Sequence, residues 1–397
     1  LNELLSNSNY NVKAVNFSTY GASLIYLDKE RKRLTPLYNY LKVMPPNISN
    51  SIYAENGGLL EFTRKTASPD LGFLNSGLQI KWLQTDKPEI YAKVKNVLHF
   101  PQYLSFLFTG RIISEYTSIG CHTALWDFDR HQYHNWVKSL DFELPKPISN
   151  STVFENTFRG KNINFGVGIH DSSAALVPYL LSNKKEFILV STGTWCVAMN
   201  PFNKEPLTQQ EIKNNCLCYL SIHQEQVKSS RFYMGYMHET NAKRMSDYFG
   251  VADEIFKKVK LDSEEINQLN HKYGNEMVFF KNGIPDNYLD EEVEMTKFST
   301  YSEAYHQLMI DLTRLSIQSI ENIIPANDTS DKIFITGGFA KNDIYIKLLA
   351  DFFIDKEVYT SEVDNASALG AAAVIWKKIN AEIDPEFDLG LKLWKNN

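Results

Sequence analysis

Cysteine is scarce, with four residues in a chain of 397, too few for a disulfide framework at this size. Cys216 and Cys218 stand too close together for a familiar zinc knuckle, and no second pair follows them. All four are expected as reduced thiols. Blocks of lysine and arginine are missing too, and the net charge is -6, which leaves no electrostatic footprint for nucleic acid or an anionic membrane surface. Apolar runs are short: the stretch around 371–376 falls well below the roughly 20 residues needed to span a bilayer. The first eleven residues are polar and lack the basic start and apolar middle of a secretory signal. The expectation is a cytoplasmic protein with small-molecule partners, no nucleic acid and no membrane. No internal repeat or low-complexity tract is visible.

What is present is enough apolar material to build a core: 43% of the residues are hydrophobic, and the length favours two domains. Short apolar runs at 12–17 and 23–27 flank the turn-like Ser18-Thr19-Tyr20-Gly21 and read as sheet. From 77 to about 110 the spacing becomes helical, through Ile80, Leu83, Ile90, Val94, Val97 and Leu98 to Leu104 and Phe108, with Gly110 as the stop. Aromatic side chains on these stretches are expected to pack rather than to stack on a ligand. Periodicity fails over 144–161, where Pro145, Pro147, Ser149, Asn150 and Ser151 cluster. The domain boundary is placed there, giving 1–155 and 156–397. Beyond it, strands are expected at 163–169, 187–190, 195–199, 332–336 and 357–360, and helices at 304–324, 344–353 (N-capped by Asn342) and 366–377. The chain opens on Leu1 and enters a strand pattern almost at once, so a native N-terminal segment is expected to be missing.

Three segments could carry chemistry. In Gly166-Val-Gly-Ile-His-Asp-Ser-Ser-Ala-Ala175 a strand delivers His170 and Asp171 to its end and small residues open a helix, the place where sites form in α/β proteins. A carboxylate there can accept a hydroxyl proton during phosphoryl transfer. It could equally N-cap the helix, and residue type alone does not separate the two. Ser191-Thr-Gly-Thr194 is a small hydroxyl-rich turn that lets amides and hydroxyls approach phosphate oxygens, although most such turns are simple hairpins. In Ile333-Phe-Ile-Thr-Gly-Gly-Phe-Ala-Lys-Asn342, paired glycines let the backbone lie close to a nucleotide, and the next helix presents its amide end. This segment lacks the G-x-G-x-x-G spacing of a dinucleotide fold, which argues against a dehydrogenase. His131-Gln-Tyr-His134 has no third ligand nearby and reads as a solvated helix face, as does the acidic run Glu291, Glu292 and Glu294.

Taken in order, these segments resemble the FGGY carbohydrate kinases. The likeness extends to Ser-Thr-Gly-Thr-Trp at 191–195, Thr-Gly-Gly at 336–338 and Ala-Ser-Ala-Leu-Gly-Ala-Ala at 366–372. In the first half it includes Phe17-Ser-Thr-Tyr-Gly21, Pro101-Gln-Tyr-Leu, Thr109-Gly110 and Ser114-Glu-Tyr-Thr117, the latter similar to rhamnulokinase-like members. The resemblance implies an α/β fold with two ribonuclease-H-like (actin/hexokinase-type) domains flanking a cleft. It implies Asp171 as the base, with Gly21, His170 and Ser172 as sugar contacts. Thr192, Gly193, Thr194, Gly337, Gly338 and Asn342 take the nucleotide role. The cofactors implied are ATP and Mg²⁺, whose protein ligands are not identified, and a homodimer is the assembly expected. Gln102 stands where the family run has Asp, and Pro-Leu-Tyr-Asn-Tyr at 36–40 replaces a Trp-x-Asp-x-Arg-like stretch, so the sugar is left open. The family's opening Asp-x-Gly-Thr-like hairpin is not seen. Two other readings remain on this scaffold: a sugar- or nucleotide-binding regulator without transfer activity, and an ATPase of the actin/Hsp70 class acting on protein partners, which the Gly-Ile-His-Asp-Ser segment disfavours.

Overall fold

The strand Ser18–Thr19 lies parallel to Ile169–His170, in the register Ser18↔Ile169 and Thr19↔His170. This pairing fixes where the chemistry-bearing turns fall. The computed structural model describes residues 1–284, 288–289, 291–363, 365–380 and 386–394. It divides into two compact units, 1–184 with 204–228 and 364–387, and 185–203 with 229–363 and 388–397.

In the first unit, Ala14–Val15 lies parallel to Lys161–Gly166, which runs antiparallel to Val153–Phe158. Residues 156–184, beyond the boundary expected from sequence, belong by contact to this unit because Lys161–Gly166 pairs back onto Ala14–Val15. The turn expected at 18–21 is instead a strand over Ser18–Thr19. Its partner lies some 150 positions away, and such pairing overrides local turn preference. Asn16 joins these elements: its Oδ1 accepts from Gly168 N at 3.0 Å and its Nδ2 donates to Ala371 O at 2.7 Å.

The helical spacing from 77 onward is interrupted. Helices span Ser76–Asp86 and Phe100–Thr109, but Val97 and Leu98 lie on a strand, Asn96–His99, antiparallel to the fully buried Leu24–Leu27. A short apolar run does not distinguish strand from helix by periodicity, and Pro88 had already broken the first helix. Gly110 ends the later helix at φ 64°, as its sequence position suggests. His131 and His134 do not share a helix face: Gln132–Tyr133 is a strand, and His134 is buried with its Nδ1 accepting from Trp136 N. Two helices, Asp171–Ser182 and Ala366–Ile379, pack through Ala174, Val177, Ala371, Val374 and Ile375. They approach so closely that a Cβ on Gly370 would lie 1.8 Å from Ala174 O.

In the second unit the sheet order is 229–232, Cys196–Asn200, Phe187–Thr192, Lys332–Gly337, Glu357–Thr360, Lys392–Leu393. Phe187–Thr192, Lys332–Gly337 and Glu357–Thr360 are mutually parallel. Burial of the inner strands explains the unbroken apolar runs Phe187-Ile-Leu-Val190 and Ile333-Phe-Ile335. Helix Tyr301–Glu321 buries most of its length, and Asn342 N-caps helix Asp343–Phe352 through Ile344 N and Tyr345 N. All four cysteines are free and buried. Among the described residues, no helix is long and apolar enough to cross a membrane.

Candidate active site

Asp171 occupies the step from the Ile169–His170 strand into its helix. The N-cap position is His170 and Asp171 is the first helical residue, where a carboxylate complements the positive end of the helix. Its Oδ1 accepts from Ser172 N at 2.7 Å and lies 3.2 Å from His170 Nε2. Among the described residues Oδ2 has no hydrogen-bond partner, and the side chain is 43% exposed. Asp171 lines a cavity of about 620 Å³ with Asn16, Ser18, Thr19, Tyr20, Phe100 and Ser367 among its neighbours. Ser367 Oγ donates to Asp171 O at 3.1 Å, so the C-terminal helix pins the backbone of this residue.

His170 is buried. Burial pushes its pKa down, against the opposing pull of the Asp171 carboxylate, so the imidazole is neutral. With the hydrogen on Nε2, Nδ1 accepts from Ser173 Oγ at 3.1 Å; with it on Nδ1, the ring donates to that hydroxyl, which donates on to Leu220 O. The backbone of His170 is held by Thr117 Oγ1, which accepts from His170 N at 3.1 Å. Thr117 is in turn held by Glu115, a buried carboxylate that accepts from the amides and hydroxyls of Thr117 and Ser118. Burial raises the Glu115 pKa and these four bonds oppose the rise.

Gly21 packs against the same ring: a Cβ there would fall 2.0 Å from Cys121 Sγ and 3.3 Å from His170 Cδ2. Glycine is required by this approach. The structure therefore brings Gly21, His170, Asp171 and Ser172 together. Sequence reasoning missed Asn16, Ser173 and Ser367, together with Cys121 beside Gly21 and His122 against the His170 ring. Glu115, Thr117 and Ser367 fall inside the matched segments, so that signal was available for them. Gln102 is fully buried and its Nε2 donates to Val167 O and Gly168 O, supporting the loop before Ile169 rather than facing the cavity.

The second unit holds the other residues singled out from sequence. Thr192 Oγ1 donates to Thr336 O at 2.6 Å and accepts from Phe339 N at 3.1 Å, so its hydroxyl ties the two turns together. Gly337, at φ 91°, passes so near that a Cβ would lie 1.7 Å from Thr192 O. Gly193 and Gly338 are different: no atom lies within 4 Å of where their Cβ would be, leaving open backbone beside the exposed Thr194. Asn342 spends its side chain internally, its Oδ1 on the helix cap and its Nδ2 on Tyr305 Oη at 3.0 Å. Tyr305 then meets His238 Nε2 at 3.0 Å, whose pKa burial lowers to about 4. Thr192, Gly193, Thr194, Gly337 and Gly338 are thus adjacent at the ends of paired parallel strands, with Asn342 organising the helix behind them.

Both units carry strand ends opening into helices, and solved structures share the arrangement. A carbohydrate kinase from Novosphingobium aromaticivorans superposes with TM-score 0.78 at 21% identity, covering 99% of this chain and 82% of that one. A xylulose kinase from Lactobacillus acidophilus does so with TM-score 0.74 at 16% identity, covering 98% and 80%. The fold is α/β of the actin/hexokinase type. Residues 1–152 match the N-terminal domain model of the FGGY family of carbohydrate kinases. Among curated relatives, a rhamnulokinase of Mannheimia succiniciproducens is 26% identical over 197 residues, 48% of this chain and 39% of that protein. A rhamnulokinase of Oceanobacillus iheyensis is 21% identical over 366 residues, 86% of this chain and 74% of that protein. The match to the first of these spans about two fifths of its length.

Proposed function

We propose that the protein transfers the γ-phosphoryl group of ATP to a hydroxyl of a sugar, a ketose or deoxyketose, with Asp171 as general base. The hydroxyl oxygen forms a bond to phosphorus, the bond from phosphorus to the β,γ-bridging oxygen breaks, ADP leaves, and the hydroxyl proton goes to Asp171. The observation that carries this reading is the partner-free Oδ2 of Asp171 lining a cavity of about 620 Å³. Its other oxygen accepts from Ser172 N, with His170 Nε2 3.2 Å away. A base held this way orients the nucleophile, which a loose phosphoryl-transfer transition state requires more than full deprotonation.

The proposal assigns the sugar to the first unit, with Gly21, His170 and Ser172 as contacts. It assigns the nucleotide to the second, with Gly193, Thr194 and Gly338 as the accessible members of the phosphate-binding turn. Gly337 and Thr192 hold that turn in shape. The residues fit a phosphate chain, because the open glycine backbone at Gly193 and Gly338 lets anionic oxygens approach closely. When bound, Mg²⁺ supplies charge neutralisation on the phosphates. The relatives named rhamnulokinase support a sugar acceptor without fixing which one.

The test is ADP release measured against a panel of l- and d-ketoses and deoxyketoses. Stimulation by at least one sugar, lost in Asp171→Asn with the fold intact, is expected. Turnover retained in Asp171→Asn would remove the base. Failure of every sugar to stimulate, with sugar or nucleotide binding retained, would leave a binding regulator instead.

A further inference from the structure

Beside the proposed base lies a cluster of which the phosphoryl-transfer reading uses only His170. Cys121, His122 and His170 each offer one ligand atom within 4.8 Å of the others, the one such cluster of histidine, cysteine and acidic groups among the described residues. We propose that Cys121, His122 and His170 form a binding site for a thiophilic divalent ion of the zinc class, and that occupancy switches off Asp171. The effect on turnover rests on the kinase reading above; the binding site itself does not.

Composition and geometry agree. One thiolate and two imidazoles are the donors a zinc-class ion prefers, and donor pairs around a tetrahedral ion stand about 3.3–3.6 Å apart. Closing the observed separations requires side-chain shifts of about 1 Å. Metal-bound histidines hold their orientation by engaging the second ring nitrogen, and both partners are already in place. His122 Nδ1 lies 3.2 Å from Leu74 O, and His170 Nδ1 lies 3.1 Å from Ser173 Oγ. With Nδ1 so placed, Nε2 is the nitrogen each ring would present to the ion. The His122 backbone sits at φ 35°, in the left-handed region that costs a non-glycine residue of order 1–3 kcal/mol, and Asn75 Nδ2 bonds its carbonyl at 2.9 Å. The strain is held in place by structure, as at ligand clamps.

Ser173 makes the exchange at His170 feasible. With the ring hydrogen on Nε2, Nδ1 accepts from the Ser173 hydroxyl. When the ion takes Nε2, the hydrogen moves to Nδ1, which then donates to Ser173 Oγ, and that hydroxyl turns to Leu220 O at 3.1 Å. Both tautomers find complete partners. His170 neither gains nor loses a proton, and Cys121 releases its thiol proton to solvent, one per ion bound. Asp171 gains a cation within reach of its carboxylate, since His170 Nε2 lies 3.2 Å from Oδ1, so it no longer serves as a base.

The experiment uses chelator-stripped protein titrated with Co²⁺ without nucleotide or sugar. One equivalent is expected to bind with a near-ultraviolet thiolate-to-cobalt charge-transfer band. The band should vanish in Cys121→Ser, and affinity should fall about 10-fold or more in His122→Gln. Zn²⁺ should raise the Tm of the parent protein but not of Cys121→Ser, a readout that also shows whether the variant folds. In the sugar-dependent assay, Zn²⁺ should inhibit the parent reversibly. Cys121→Ser, active without the ion, should need about 10-fold more Zn²⁺. Absence of the charge-transfer band, or equal Zn²⁺ sensitivity in all three proteins, overturns the proposal. A band in a protein that turns over no sugar keeps the site and removes the kinase reading; turnover without a band does the reverse.

Discussion

His170 Nε2 lies 3.2 Å from Asp171 Oδ1, and the two residues are oppositely placed, the ring buried and the carboxylate nearly half exposed. Because burial lowers the His170 pKa, the ring faces Asp171 uncharged at neutral pH. Asp171→Asn is therefore expected to reduce sugar-dependent ADP release by about 10²–10⁴-fold with little change in Tm. Coupled turnover and thermal unfolding on the same samples check both halves.

Gly337 and Gly338 separate packing from access. Alanine at Gly337 would place its Cβ 1.7 Å from Thr192 O at a φ of 91°, so a loss of about 2 kcal/mol or more is expected. Alanine at Gly338 meets open space, and stability should change by about 0.5 kcal/mol or less while ATP binding weakens. Denaturant midpoints and nucleotide titration distinguish the two.

The contact of Gly21 with Cys121 is tested by a double-mutant cycle. Gly21→Ala should destabilise, since its Cβ would fall 2.0 Å from Cys121 Sγ. Cys121→Ala in that background should recover part of the loss, with a coupling of about 1 kcal/mol. Additive effects would show that the clash is relieved elsewhere.

Asp311 predicts a pH dependence of stability. Its carboxylate is buried, accepts from Val278 N, Phe279 N and Gln307 Nε2, and is pushed up from 3.8 to about 6, chiefly by burial. A carboxyl with a raised folded pKa binds its proton more tightly in the native state. Its stabilising contribution is full below 3.8 and is lost as pH rises through about 6. Asp311→Asn, with the Gln307 amide turned so that its unpartnered Oε1 accepts from the new amide, should remove that slope. The variant should be at least as stable as the parent at pH 7.5 and lose ground relative to it as pH falls to 4. Denaturation across that range is the measurement.

Much of this was readable in the chain. The strand Glu357–Thr360, the Asn342 cap and the helix stop at Gly110 follow from local chemistry, because propensity, capping side chain and turn residue each act within a few positions. Ser18–Thr19 and Val97–Leu98 were misread because their strand character comes from distant partners, Ile169–His170 and Leu24–Leu27. His134 was misplaced for a related reason: its burial comes from packing against Phe62, which spacing does not encode. Asp171 stood out from its position between strand and helix. Asn16 did not, and Ser173 and Ser367, although inside quoted segments, were not singled out, because single polar residues gain meaning only when folding brings them to a particular oxygen.

Ser367 donates to the Asp171 carbonyl across 196 positions of sequence. At translation rates of 5–20 residues per second, roughly 10–40 s separate synthesis of the two. Throughout that interval the face of helix Asp171–Ser182 that will meet Gly370 has no partner, and Ala174 and Val177 are open to other chains. Slowing the ribosome between the two positions is therefore expected to lower the yield of folded protein.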